Sequence, residues 1–143
     1  MRQILIDSGI LLSYYQADEP LHGAVVSWCD RTVAELVTSP ICIAETLWLL
    51  GDPGNGRVLA AQNHLLQAVA SGAILTPALD PADYARIAEL NSRYADLPGD
   101  FADLGLVLLS EQLGIAEILS LDSDFDVYRR FRRQPFQRVS LHE

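Results

Sequence analysis

An α/β fold, with a central parallel β-sheet covered by helices on both faces, is what this chain predicts. Two patterns carry that expectation. Short, uniformly apolar runs alternate with longer stretches of helical periodicity, and strands apolar on both sides belong to sheets covered on both faces. Ser39-Pro40 and Asp80-Pro81 each place a capping side chain directly before a proline, the combination that opens a helix.

The elements follow in order. Residues 4–6 read as a buried strand and residues 10–15 as a helix; a second helix spans 20–32 and a second strand 35–38. The helix opened by Ser39-Pro40 ends near Gly51, before the loop Asp52-Pro53-Gly54-Asn55-Gly56. Residues 58–70 give a helix, 73–76 a strand, and Asp80-Pro81 a helix to about Tyr94. Leu97-Pro98-Gly99 breaks the chain, Asp100 caps a helix to Leu113, and strands are expected at 118–121 and 139–141.

The 143 residues, half of them hydrophobic, fit one domain over 1–143, enough to bury roughly two thirds of the unfolded chain's surface. No apolar run reaches the length of a membrane span and no signal-peptide pattern opens the chain. Cys29 and Cys42 sit in apolar helical contexts and read as reduced thiols of a cytoplasmic protein. His22, His64 and His142 match no zinc spacing. A net charge of −9 argues against phosphate binding over the whole surface, yet five of the ten Arg (129, 130, 132, 133 and 138) crowd the C-terminal end. Such an edge suits a polyanion gripped at one place and cut at another, or is simply a solvated face.

The acids carry the chemistry. Asp7 closes one apolar run, Glu45 is the only charge between Ser39 and Leu50, Asp103 opens the run 104–109, and Asp122 follows the run 118–121. Buried carboxylates need a counter-charge. The chain has no Lys, and none of its Arg lies in these runs. A divalent cation is then the natural partner, and ligands in open parallel sheets bind beyond the carboxyl ends of the strands, where Asp7 and Asp122 emerge. Glu45 is expected on a stripe with Ile41, Ala44 and Trp48 facing the sheet. Oxygen-only donors select Mg²⁺, with Mn²⁺ as substitute, over zinc. Phosphodiester hydrolysis uses such an ion without a protein nucleophile. Each acid also has a plainer role: a turn at Asp7 or Asp122-Asp124, an N-cap at Asp100, a helix-dipole partner at Asp103. Receiver and aspartyl-phosphate chemistries also place Asp at strand ends, but normally call on a Lys that is missing here.

In this order the residues resemble the PIN-domain ribonucleases, and within them the VapC toxins of bacterial VapBC toxin–antitoxin modules. Ile6-Asp7-Ser8-Gly9, Ser39-Pro40 to Ala44-Glu45, Tyr94-Ala95-Asp96-Leu97-Pro98 with Ala102-Asp103, and Ser120-Leu121-Asp122-Ser123-Asp124-Phe125 carry the resemblance over essentially the whole chain. Ser120 stands where the family usually has Thr, and Leu104-Gly105 where small residues such as Ala-Ser are common. The resemblance implies a single PIN-like domain acting as a Mg²⁺-dependent endoribonuclease toxin. Asp7 and Asp103 would be the main metal ligands, Glu45 and Asp122 would complete the acidic pocket, and Ser8, Ser120 and Asp96 would support it. It also implies an RNA substrate, frequent homodimers, and a VapB-type antitoxin in a groove lined by Leu11, Leu12, Tyr14, Tyr15 and Trp48, although core packing is the simpler expectation for Trp48. The alternative is a catalytically inactive PIN-like module that binds RNA or protein.

Overall fold

Strand β1 (Gln3–Ile6) is the axis of the molecule, with every side chain from Ile4 to Ile6 buried. A computed structural model describes residues 1–97 and 99–143; Pro98, inside the expected 97–99 break, lies outside the described residues. After β1 come α1 (Ser8–Tyr15), α2 (His22–Arg31), β2 (Glu35–Val37), α3 (Pro40–Leu50), α4 (Gly56–Ala70) and β3 (Ile74–Leu75). The second half contains α5 (Pro81–Arg93), α6 (Phe101–Leu113), β4 (Glu117–Leu119), a 3₁₀ turn (Ser123–Asp126), β5 (Arg129–Arg130), β6 (Gln134–Pro135) and β7 (Gln137–Arg138).

The main sheet has the order β3-β2-β1-β4-β7, with all pairs parallel. The chain builds outward from β1 to β3 and then returns to the far side of β1 as β4. The β1–β4 pair, in register Leu5↔Ile118 and Ile6↔Leu119, is therefore the topological switch point, where open sheets leave a crevice.

Side chains alternate across the sheet as the strand period requires. Leu5, Val37 and Ile118 join α5 and α6 residues such as Leu90 and Leu106 in one core. Ile4, Ile6 and Leu119 join Ile10, Val25 and Leu65 of α1, α2 and α4 in the other. From Leu104 to Ser110 every residue of α6 is buried, and each large aliphatic there contributes about 1.5–3 kcal/mol. That burial seats α6 and, with it, the acid at its first turn.

Local capping rules hold well. Asp7 accepts from the Ile10 amide at 3.0 Å, Ser39 from Cys42 at 3.1 Å and Asp100 from Asp103 at 2.9 Å. Asp83 reaches back to the Asp80 amide at 2.8 Å, and Gly114 ends α6 at φ 67°. Several expectations need correction. Helix α2 starts at His22 rather than residue 20. Strand β4 stops at Leu119 because the Ser120 hydroxyl accepts from the Asp122 amide at 2.9 Å, turning the chain out of the sheet. The last strand is Gln137–Arg138, not 139–141. The β5–β6 hairpin was not expected at all: its tip puts Phe131 (φ 49°) and Arg132 (φ 69°) in the left-handed region without glycine or asparagine, at roughly 1–2 kcal/mol per residue.

The face of α3 is the other correction. Cys42, Ile43, Thr46 and Leu50 are buried, while Ala44 is exposed and Trp48 is 83% exposed. Of the Ile41-Ala44-Trp48 stripe only Ile41 turns inward, partly buried against the α5–α6 core; Ala44 and Trp48 face outward, and Trp48 is not core. Helix α3 packs against α1, α4 and α6 together, which leaves Glu45 at the boundary between buried and exposed faces. No helix among the described residues is long and apolar enough to cross a membrane.

Candidate metal centre

Asp7 leaves β1 at the switch point and caps α1. It is 5% exposed, its Oδ2 accepting from the Ser120 hydroxyl and its Oδ1 from the Ile10 amide. Ser120 leaves β4 beside it, and its oxygen also orders the Asp122 amide. Asp122 in turn caps the 3₁₀ turn by accepting from the Asp124 amide at 2.9 Å. From the helix side, Asp100 caps α6 and Asp103 occupies its first turn. Glu45 of α3 accepts from the Ser8 hydroxyl.

These elements enclose a cleft of ≈ 350 Å³ lined by Asp7, Ser8, Glu45, Asp100, Asp103 and Asp122, with Gly9, Leu49 and Leu121. No Arg or His lies among those residues. One carboxylate oxygen each from Asp103, Asp122 and Asp124 lies within 4.8 Å of the others. Thus Asp7, Glu45, Asp103, Asp122, Ser8 and Ser120 come together as expected from far apart in the chain. Asp96 does not join them: it is exposed in the turn after α5 and absent from the cleft lining. Asp124 was not among the expected site residues, its direct contribution having been left open beside a plain turn role. Its signal was the Asp122-Ser123-Asp124 doublet, which becomes informative only once the 3₁₀ turn folds the two carboxylates side by side.

Electrostatics show what the cleft lacks. Burial, then the charges of Asp100, Asp122, Asp7 and Glu45, push the Asp103 carboxyl up to about 8. Burial also raises Asp7, against hydrogen bonds from Ser120 and Ile10 that favour its ionised form, with Asp122 adding to the rise. Asp124 is raised by desolvation and by Asp122. Carboxylates raised by burial and by one another have no internal counter-charge, and a bound cation inverts that balance. The donors fit a hard divalent ion: all are oxygens, and neither His nor Cys is among them. The thiol of Cys42 is buried and pushed up to about 11 by desolvation, against hydrogen bonds from Ser39 and Thr38, which leaves it inert.

An acidic cluster at the switch point of a parallel sheet, with oxygen donors and no protein cation, is consistent with a metal-dependent nuclease. The PIN domain family matches residues 4–130, and the chain belongs to that family. Within it, the chain is homologous to the VapC ribonuclease toxins: Ribonuclease VapC26 of Mycobacterium tuberculosis is 32% identical over 120 residues, covering 83% of this chain and 86% of the relative. The crystal structure of Mycobacterium tuberculosis VapC20, a sarcin-ricin loop cleaving toxin, superposes with a TM-score of 0.75 over 92% of this chain and 99% of that one. At 19% identity that likeness speaks for the fold.

A second concavity of ≈ 210 Å³ lies on the α1–α2–α4 side, lined by Leu11, Tyr14, Tyr15, Cys29, Leu36 and His64 among others. The Tyr15 hydroxyl meets His64 Nδ1 at 2.7 Å across it. Leu12 and Trp48 are not part of this lining.

Proposed function

We propose that this protein is a Mg²⁺-dependent endoribonuclease, the toxic member of a cytoplasmic toxin–antitoxin pair, with Mn²⁺ able to substitute. The observation that carries the reading is a cleft whose charged groups, Asp7, Glu45, Asp100, Asp103 and Asp122, are all acids, with carboxylate oxygens of Asp103, Asp122 and Asp124 within 4.8 Å of one another. Such a cluster calls for a cation, and phosphodiester hydrolysis uses one.

Asp103, Asp122 and Asp124, with Asp7 behind them, would hold the ion. When bound, it supplies a Lewis acid that offsets phosphoryl charge and makes water acidic enough to attack. The chain's own groups do the rest. Ser120 locks the Asp7 carboxylate through one hydrogen bond and the Asp122 backbone through another. Ser8 orients Glu45 on the opposite wall, where a carboxylate can accept a proton from attacking water. Leu49 and Leu121 form the apolar part of the rim.

The α1–α2–α4 concavity, apolar with a Tyr–His polar spot, suits a segment of a VapB-type antitoxin. Trp48, exposed on α3, offers surface to a second copy in a homodimer. The decisive assay mixes purified protein with total RNA in Mg²⁺ or Mn²⁺. Cleavage that EDTA abolishes is expected. Mg²⁺ binding without cleavage of any RNA would instead identify an inactive binding module.

A further inference from the structure

None of the arginines near the C-terminus lines the cleft, although Arg138 donates to the Ser120 carbonyl at 2.6 Å. The β5–β6 hairpin turns through Arg130-Phe131-Arg132-Arg133, closed by the Arg133 amide donating to the Arg130 carbonyl at 3.1 Å. Both central residues have positive φ, 49° and 69°, where glycine or asparagine is the usual choice. Each is anchored from outside the hairpin. The Phe131 amide donates to Glu111 Oε2 at 2.6 Å, and Arg93 Nη2 donates to the Arg132 carbonyl at 2.8 Å. Beneath the turn, buried Arg130 donates to the Ser110 carbonyl at 3.0 Å. Strained backbone persists only where its surroundings over-determine it, and such positions cluster at binding sites.

What the turn accomplishes is presentation. Phe131 is 49% exposed, with the Arg130 guanidinium 5.5 Å from its ring centroid. The Arg132 side chain is 69% exposed, and Arg133 is exposed beside it. Arg2, Arg86 and Arg138 are neutralised by close carboxylates. Among the described residues, Arg93, Arg129 and Arg133 make no ion pair, and Arg132 reaches Glu89 only at 3.9 Å. A notch of ≈ 270 Å³ between Arg86, Glu89, Arg93 and Arg132 adjoins the turn. In a chain of net charge −9, this is a local anion-attracting face around an exposed aromatic. Phe131 onward lies past residue 130, where the family match ends.

We propose that this turn is a docking surface for single-stranded RNA, with Phe131 stacking on a base and Arg132 and Arg133 contacting the flanking phosphates. The proposal rests on the nuclease reading and names how that substrate is gripped. An aromatic platform among cations is the recipe for single-strand binding; an acidic peptide would use the arginines and leave the ring idle. Glu111, the anchor of Phe131, lies on α6 about 12 Å along the axis from Asp103, a distance that a few nucleotides cross.

The test titrates labelled single-stranded RNA into Asp103→Asn protein with Mg²⁺, and into the same background carrying Arg132→Ala/Arg133→Ala or Phe131→Gly. The double variant is expected to bind about 10-fold more weakly, with a salt slope smaller by about 1.4, or 0.7 per lost phosphate. Phe131→Gly relieves the positive φ, so it is expected to melt higher and yet bind about 5-fold more weakly. A higher melting temperature with unchanged affinity would mark a purely structural turn and overturn the proposal. So would an unchanged salt slope, no RNA binding by the parent, or polyglutamate competing equally well with and without Phe131. Turn-dependent binding by a wild-type protein that cuts no RNA sinks the nuclease reading alone. Cleaving wild type with turn variants that bind normally sinks the docking surface alone.

Discussion

Two acids on the same helix meet opposite fates. Asp103, in the first turn of α6, is surrounded by other carboxylates and rises to about 8. Glu111, about two turns further along, would also be pushed up by burial. There Arg86, the Phe131 amide and the charge of Arg130 outweigh desolvation and hold it below the usual range. Arg86 grips Glu111 through two bonds, 2.9 and 2.8 Å. The fold thus completes one carboxylate with its own cation and leaves the other to be completed from outside. That difference separates an acid that holds the structure from one available for chemistry.

The largest test of the contrast is Asp103→Asn. RNA cleavage is expected to fall by more than ~100-fold while far-UV circular dichroism stays native; cleavage near wild-type levels would mean the cleft is not the reacting site. Glu111→Gln should do the reverse. It leaves Arg86 and the Phe131 amide underserved, so about 2–3 kcal/mol of stability is expected to go, roughly 5–10 °C by calorimetry. Cleavage per folded molecule should fall far less than in Asp103→Asn, by no more than the several-fold loss that a loosened Phe131 turn would cause.

The two acids also differ in the sign of their pH dependence. Asp103's folded value lies above the usual carboxylate range. Its stabilising contribution is therefore complete below about pH 4 and lost as pH rises through about 8. Metal-free wild type should melt close to Asp103→Asn near pH 4 and below it near pH 9. The gap is about 1 kcal/mol after allowing for solvent screening of a half-exposed group, and Mg²⁺ should narrow it. Glu111, held low, stabilises above its unfolded value and loses that contribution as pH falls through its folded one. The smallest effect is expected from Ser120→Ala, which removes one donor from Asp7 and one acceptor from the Asp122 amide. About 1 kcal/mol of stability and a several-fold slower cleavage are expected; an unaltered rate would mean Asp7 needs no positioning.

Much of this is legible in the sequence. Strand-end Asp7, the Ser39-Pro40 and Asp80-Pro81 starts and the Asp100 cap all rest on interactions within a few residues of sequence. The α3 stripe is not, because periodicity gives a spacing without saying which side the neighbours occupy, and here α1, α4 and α6 all press on α3. The Phe131-Arg132 turn carried no glycine signal, since its anchors, Glu111 and Arg93, come from distant helices.

From the sequence by itself came the alternation of strands and helices, the helix starts, and a set of acids with no lysine in the chain and no arginine beside them. Those follow from local backbone preferences and from the cost of desolvating charge. Packing between distant segments sets β4 beside β1, brings Asp124 into the cluster while Asp96 stays outside, and gives an arginine to Glu111 rather than to Asp103. Such pairings depend on which distant groups the packed cores bring within a few ångströms, and no local pattern encodes that.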